Sequence, residues 1–265
     1  MDFEGDPNQR VIKGTQTLAR GLALLECVAD GVTDVKGMAA RLDLPRSTVN
    51  RMLASLVATG YLHQIPFRGY LLGPKLIGFG FKAIEQRPLV ALARPHLERL
   101  ALETRDTVHL GVRDGSNVLY LEKIAGSRGF EMRSSIGYNM PLAATGLGKA
   151  LLLGVERCEW RELHERACEA SARFPERAAP LGWEAFEADI LLSIERGWAR
   201  DWEESEVGIR CVSAPIRDIR DAVVAALSIS TATPFMDEAR AVEVGPRVRE
   251  TAELISQELG WSGRK

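Results

Sequence analysis

Between Thr33 and Lys75 the apolar positions change period twice. Val35, Met38, Ala39 and Leu42 recur at helical spacing, and Asp43-Leu44-Pro45 then interrupts the run. A second helix opens at Arg46-Ser47-Thr48 and lines up Val49, Met52, Leu53, Leu56 and Val57 on one side, the 3.6-residue period of a one-sided core helix. After Gly60 the pattern becomes that of a hairpin. Tyr61-Leu62-His63 and Tyr70-Leu71-Leu72 flank the turn-rich segment Gln64 to Gly69. A hairpin directly after such a helix pair predicts a winged helix-turn-helix. An earlier helix is expected from Thr15 to about Ala29, with Leu18, Leu22, Leu25 and Val28 as its stripe, after a loose arm of about 13 residues.

Three divisions follow: a winged module over residues 14–75, a linker helix over 76–92, and a second domain over 93–262. Pro88 and Pro95 punctuate the helical leucines that follow residue 76, so a break is expected near Pro88. From Asp106 the signals are mixed. Val108 to Val112 and Val118 to Leu121 read as strands around the turn Arg113-Asp114-Gly115-Ser116, and Phe130 to Arg133 as a third strand. A helix opens at Thr145 and another runs from Trp183 to Arg196. Arg210 to Ile216 and Ala222 to Thr231 are two further strands, and Asp237 to Leu259 is a closing helix. Antiparallel strands flanked by helices define an α+β class.

Charge changes this picture for the first module only. The chain carries −2 overall, but residues 8–75 hold nine Lys/Arg against four Asp/Glu, a surplus of five that leaves the remainder at −7. A basic module on an acidic body suits a DNA reader. Arg46, Ser47, Thr48, Asn50 and Arg51 occupy the polar side of the second helix, where phosphate and base-edge contacts concentrate. Arg68 sits on the wing, and Thr15 and Arg20 are phosphate candidates on the first helix. Cysteines at 27, 158, 168 and 211 show no metal-ligand spacing, so no metal, cofactor or disulfide framework is expected. No apolar run reaches about 18 residues and the first ten residues are polar, so a cytoplasmic protein with no membrane partner is expected.

The combination resembles the IclR family of bacterial transcriptional regulators, from about Gly14 to Leu259. Three segments carry the likeness: DLPRSTVNRMLASLVATGYL in the winged module, SIGYNMPLAATGLGKALL at residues 135–152, and DWEESEVGIRCVSAPIRD at 201–218. The resemblance implies a GAF-like effector-binding domain, dimers often paired into tetramers, and a repressor or activator of a catabolic operon. It places effector contacts at Met132, Gly146, Leu147, Asp201, Ile209, Cys211, Ser228 and Ser230. One departure is Ala143-Ala144, where relatives often carry a histidine before the alanine.

Part of that set follows from the residues themselves. Ser228 and Ser230 alternate on one strand face, as do Ile209 and Cys211, and serines in an apolar run need partners if buried. Thr145-Gly146-Leu147-Gly148 at a helix start could receive the carboxylate of a small organic acid. Asp201 beside it favours an acid that also carries a hydroxyl. Each feature also has a plainer meaning: a packing glycine pair, half-exposed serines, a buried thiol, a solvated acidic loop. Three functions therefore stay open: a ligand-gated regulator acting as a homodimer on a pseudo-palindromic operator, a constitutive DNA binder with a non-functional sensor domain, and an enzyme using Asp201 or Cys211. The four histidines show no catalytic pattern, and no catalytic residue is assigned.

Overall fold

The computed structural model describes residues 15–85, 88–129, 132–172 and 180–263. The expected loose arm and Gly14 lie outside them. The chain forms two compact units, residues 1–86 and 87–265.

In the first unit, α1 (Gln16–Ala29), α2 (Val35–Arg41) and α3 (Arg46–Ala58) precede a hairpin of β1 (Leu62–Ile65) and β2 (Gly69–Leu72). Asp34 caps α2 by accepting from the Gly37 N–H at 2.9 Å. Asp43 takes a positive φ of 49° in the turn between α2 and α3, a conformation that Asp tolerates. The core gathers Leu24, Cys27, Met38, Val49, Leu53 and Leu62. The expected stripe of α1 is half right: Val28 is buried, but Leu18 and Leu22 are exposed, because Leu24 and Cys27 take the core positions. At Gly69 (φ 99°) a Cβ would lie 2.3 Å from the Thr33 carbonyl oxygen, so the wing closes onto the start of α2 only with glycine there. Helix α4 (Pro74–Glu85) completes this unit.

The second unit opens with α5 (Pro88–Thr104), a few residues ahead of the expected boundary at 93. The reason is packing: Val90 and Ala93 already belong to this unit's core. A six-stranded antiparallel sheet follows, in the order β5-β4-β3-β8-β7-β6. Its strands are β3 (Thr107–Asp114), β4 (Asn117–Ile124), β5 (Asn139–Pro141), β6 (Ala199–Trp202), β7 (Ile209–Arg217) and β8 (Val223–Ala232). This is the expected α+β, GAF-like arrangement. Helix α5 and α9 (Glu238–Glu258) cover one face over Val108, Leu110, Val212, Ala214, Leu227 and Ile229. Helix α6 (Gly146–Leu152) lies on the other face against β7, β8 and β3, with α7 (Arg157–Ala172) and α8 (Trp183–Arg196) outside it.

The third expected strand, residues 130–133, is described only in its second half. Phe130 and Glu131 lie outside the described residues, and Met132 and Arg133 are not in a strand. The Met132 carbonyl instead accepts from Lys123 Nζ at 2.7 Å, and β5 supplies the edge partner of β4.

Candidate functional site

Alternation along the strands makes the two sheet faces chemically different. Odd-numbered Leu227 and Ile229 face α5 and α9, so Ser228 and Ser230 face α6. Strand pairing extends this into two polar rows. Asp201, Cys211, Ser230 and Thr107 lie side by side across β6, β7, β8 and β3. Ser213, Ser228, His109 and Lys123 form the next row across β7, β8, β3 and β4. Met132, Ile209 and Cys211 form a small apolar cluster beside the first row.

The start of α6 is tied down by its own chain. Thr145 caps it by accepting from the Gly148 N–H at 2.9 Å. The Gly146 N–H donates to Asp201 Oδ2 at 3.2 Å, and the Gly146 carbonyl accepts from Ser213 Oγ at 2.6 Å. A Cβ at Gly146 would stand 3.0 Å from the Cβ atoms of both Asp201 and Cys211, so glycine permits this close approach. Asp201 is fully buried and also accepts from Ser205 Oγ (2.6 Å) and the Glu204 N–H (2.8 Å). The Gly146 N–H, one of the donors at the seat expected for a ligand carboxylate, thus donates to a carboxylate of the protein.

Six of the eight expected effector residues thus meet around the polar face: Asp201, Gly146, Cys211, Ser230, Ser228 and Ile209. Leu147, two per cent exposed, instead points inward, with its Cδ2 2.6 Å from where a Gly111 Cβ would stand. Met132 joins from the loop after β4. Burial and the nearby Asp201 push the Cys211 thiol far above its ordinary value, so it is a neutral hydrogen-bonding group and no nucleophile.

Four residues were not singled out by sequence reasoning. His109 is buried, and desolvation together with the Lys123 charge lowers its pKa to about 3. Its Nε2 meets Ser134 Oγ at 2.7 Å and its Nδ1 meets Ser230 Oγ at 3.4 Å. Its presence among Val108, Leu110 and Val112 was the available signal, since a lone polar residue in an apolar strand marks the opposite face. Tyr120 packs edge-on against that ring at 5.4 Å. Lys149, with no exposed surface, donates to Asp189 at 2.9 Å and Glu204 at 2.7 Å. Burial opposes its charge, but the two carboxylates and Asp201 outweigh that and raise its pKa. Lys123 is the fourth.

In the first unit, α3 buries Val49 and Leu53 and leaves Arg46, Ser47, Asn50 and Arg51 exposed, with Thr48 half-buried. Arg68 is exposed on the hairpin; Thr15 and Arg20 are half-buried at the start of α1. Among the described residues no group of three or more His, Cys, Asp or Glu is placed to hold a metal, and no helix is long and apolar enough to cross a membrane.

A helix-turn-helix with a wing, followed by a helix-covered sheet with a polar interior face, defines a two-domain DNA-binding regulator with an effector domain. Residues 17–66 match the IclR helix-turn-helix domain, and residues 81–257 match the bacterial transcriptional regulator IclR C-terminal domain. The chain belongs to the IclR family of bacterial transcriptional regulators, which are not enzymes. It is 31% identical over 249 residues to the HTH-type transcriptional regulator XynR of Escherichia coli, covering 93% of this chain and 98% of that one. It is 31% identical over 260 residues to the DNA-binding transcriptional repressor YiaJ of the same organism, covering 95% and 90%. An IclR homologue from Microbacterium hydrocarbonoxydans, solved with 4-hydroxybenzoate, shares the fold with a TM-score of 0.73 at 23% identity over 92% of this chain and 99% of that one.

Proposed function

We propose that this protein is a repressor of a catabolic operon, released or engaged by a small organic acid held on the polar face of the second unit. The observation that carries the reading is the pairing of two surfaces. One is an α3 face of Arg46, Ser47, Asn50 and Arg51 backed by buried Val49 and Leu53. The other is a buried polar face formed by Asp201, Cys211, Ser228 and Ser230. Arg46 and Arg51 contact phosphates or guanine edges, Ser47, Thr48 and Asn50 lie at the base-reading end, and Arg68, Thr15 and Arg20 hold the backbone. Met132, Gly146, Leu147 and Ile209 shape the effector pocket.

A homodimer presents two α3 helices to a pseudo-palindromic operator. Exposed Leu18, Leu22, Ile77, Phe79 and Phe81 in the first unit are apolar surface that a second copy would cover. Effector binding shifts operator affinity by a coupling energy of about 1–3 kcal/mol.

The test is capture of sheared genomic DNA on the purified protein, followed by sequencing and anisotropy titration of the enriched site. One or a few palindromic loci are expected. Arg51→Ala should weaken binding to that site by about 1–3 kcal/mol with the fold intact. Unchanged affinity would remove Arg51 from the interface, and no enriched locus with or without added acids would overturn the regulator reading for this chain.

A further inference from the structure

We infer that Phe67, at the tip of the wing, enters the minor groove beside the site read by α3, and that through it the protein selects operators whose flanking base steps unstack easily. The inference rests on the proposal that α3 reads an operator. It adds a residue that chooses among operators by the deformability of the duplex and not by base edges.

The fold by itself gives no reason for a phenylalanine at this position. The Arg68 N–H donates to the Ile65 carbonyl at 3.1 Å, and Ile65 pairs with Gly69 across the hairpin, so Pro66, Phe67 and Arg68 form the whole tip. Phe67 takes a φ of 63°. In a turn with proline second and a positive φ third, the third position ordinarily holds glycine or asparagine, and a bulky side chain there is strained. The ring recovers nothing from the protein in return. It is fully exposed, the most exposed of the large hydrophobic side chains among the described residues. Strain kept without any packing gain points to a contact made with a partner.

Charge around the tip identifies that partner as DNA. From Leu44 to Ile84 the sequence holds five Lys/Arg (Arg46, Arg51, Arg68, Lys75 and Lys82) and no Asp or Glu. Arg68, the next residue after Phe67, is exposed. Other strongly exposed apolar side chains sit beside acids: Leu102 next to Glu103, Val207 next to Glu206, Ile219 next to Asp218. A polyanion can therefore approach Phe67 without meeting a neighbouring carboxylate along the chain. The hairpin is also tied to the helices that read DNA. The Tyr61 N–H donates to the Leu56 carbonyl of α3 at 2.9 Å, the Gly73 N–H to the Tyr61 carbonyl at 2.7 Å, and the Tyr70 N–H to the Thr33 carbonyl, just before α2, at 3.0 Å. Phe67 is thus carried at a set distance from Arg46 and Arg51, and little ordering is left for the binding step. With α3 in the major groove, the adjacent minor groove is the next surface the duplex offers. That groove takes apolar wedges such as phenylalanine at steps that unstack readily, with arginine beside them. Arg68 supplies the charge and Phe67 the wedge.

The experiment uses the full chain and a library of random duplexes, from which the wild-type protein selects its preferred sequence. Phe67→Gly and Phe67→Asn remove the ring with residues that suit a positive φ. Phe67→Gly should unfold at a higher temperature than wild type, because strain is relieved and no packing is lost. On the duplex that wild type enriches most, both variants should bind about tenfold more weakly, the worth of partly burying one aromatic ring. The slope of log affinity against log salt should stay that of wild type, whereas Arg68→Ala should make it shallower by about one. With the steps flanking the α3 half-sites set to TA and then to GG, wild type should bind the TA form several-fold more tightly and both variants should bind the two forms alike. Variants that bind as tightly as wild type, or that keep its flank preference, overturn the inference while leaving operator reading intact. A lower unfolding temperature for Phe67→Gly would assign the ring to the fold, and a changed oligomeric state in sedimentation would assign it to a contact between copies; either result overturns the inference as well. If wild type enriches no duplex, the operator reading itself falls, and this inference with it.

Discussion

The two faces of the six-stranded sheet are made from the same strands, yet they are built on opposite rules. Toward α5 and α9 the sheet presents Val108, Leu110, Val212, Ala214, Leu227 and Ile229, all without exposed surface. Toward α6 it presents Asp201, Ser213, Ser228, Ser230, Thr107 and His109, also buried. The first face is stabilised by area removed from water. The second buries polar groups, which is tolerable because Asp201, Ser213, Ser230, Thr107 and His109 each have a partner. One face therefore holds the domain together, and the other is free to be specific.

The sharpest way to break this division is at Lys149, a charge on the polar side that is structural. Lys149→Met leaves Glu204 buried without its counter-ion and Asp189 with only the longer contacts to Arg196 (3.5 Å) and Arg200 (3.6 Å), and should cost about 3–5 kcal/mol in urea denaturation. Adding Asp189→Asn and Glu204→Gln should return most of it. A single mutant as stable as wild type would mean that the network contributes nothing. Next in size comes β8, where adjacent residues point to opposite faces. Leu227→Ala should cost about 2–5 kcal/mol, since it empties a fully buried site.

A pH series separates the faces in another way. The His109 pKa is lowered to about 3 in the folded protein, against about 6.5 for the unfolded chain. Between those values the unfolded chain binds a proton that the folded chain does not, so stability falls as the pH drops, by up to about 1.4 kcal/mol per pH unit. His109→Gln should flatten the stability profile measured from pH 7 to pH 5. Equal slopes in the two proteins would show that burial of this ring is not the source. The smallest effect is expected at Ser228→Ala, about 1 kcal/mol or less, because only one hydroxyl oxygen is removed and no large void is left. A loss near that of Leu227→Ala would erase the distinction between the faces.

How much of this was visible in the chain depended on whether the signal was local. The helices at Val35, Arg46 and Trp183 and the strands β3, β4, β7 and β8 follow from period and turn residues that lie within about ten positions. Helix α7 was passed over because its buried residues, Trp160, Leu163, His164 and Ala167, are sparse among charged neighbours. Strand β5 is three residues ending in a proline, and β6 only four, too short for alternation to register. At the effector face, the serines of β8 announced themselves by interrupting an apolar run. Lys123 did not, because its direction is set by a one-residue slip in strand pairing that no local pattern records. The Lys149 partners lie 40 and 55 residues further along the chain, so only the folded sheet brings them together.

That separation has a consequence for how the chain is made. Lys149 must wait for Glu204, 55 residues behind it, before its charge is fully matched. At translation rates of about 5–20 residues per second, the interval is roughly 3–11 s. Strand β3 waits longer still, since Thr107 pairs with Ser230 on β8. The first unit has no such dependence: its contacts close within residues 15–85, long before the sheet can. On the ribosome, the DNA-reading half is therefore complete while the sensing half is still an open chain, and a nascent protein can hold a finished helix-turn-helix before it has anything to sense with.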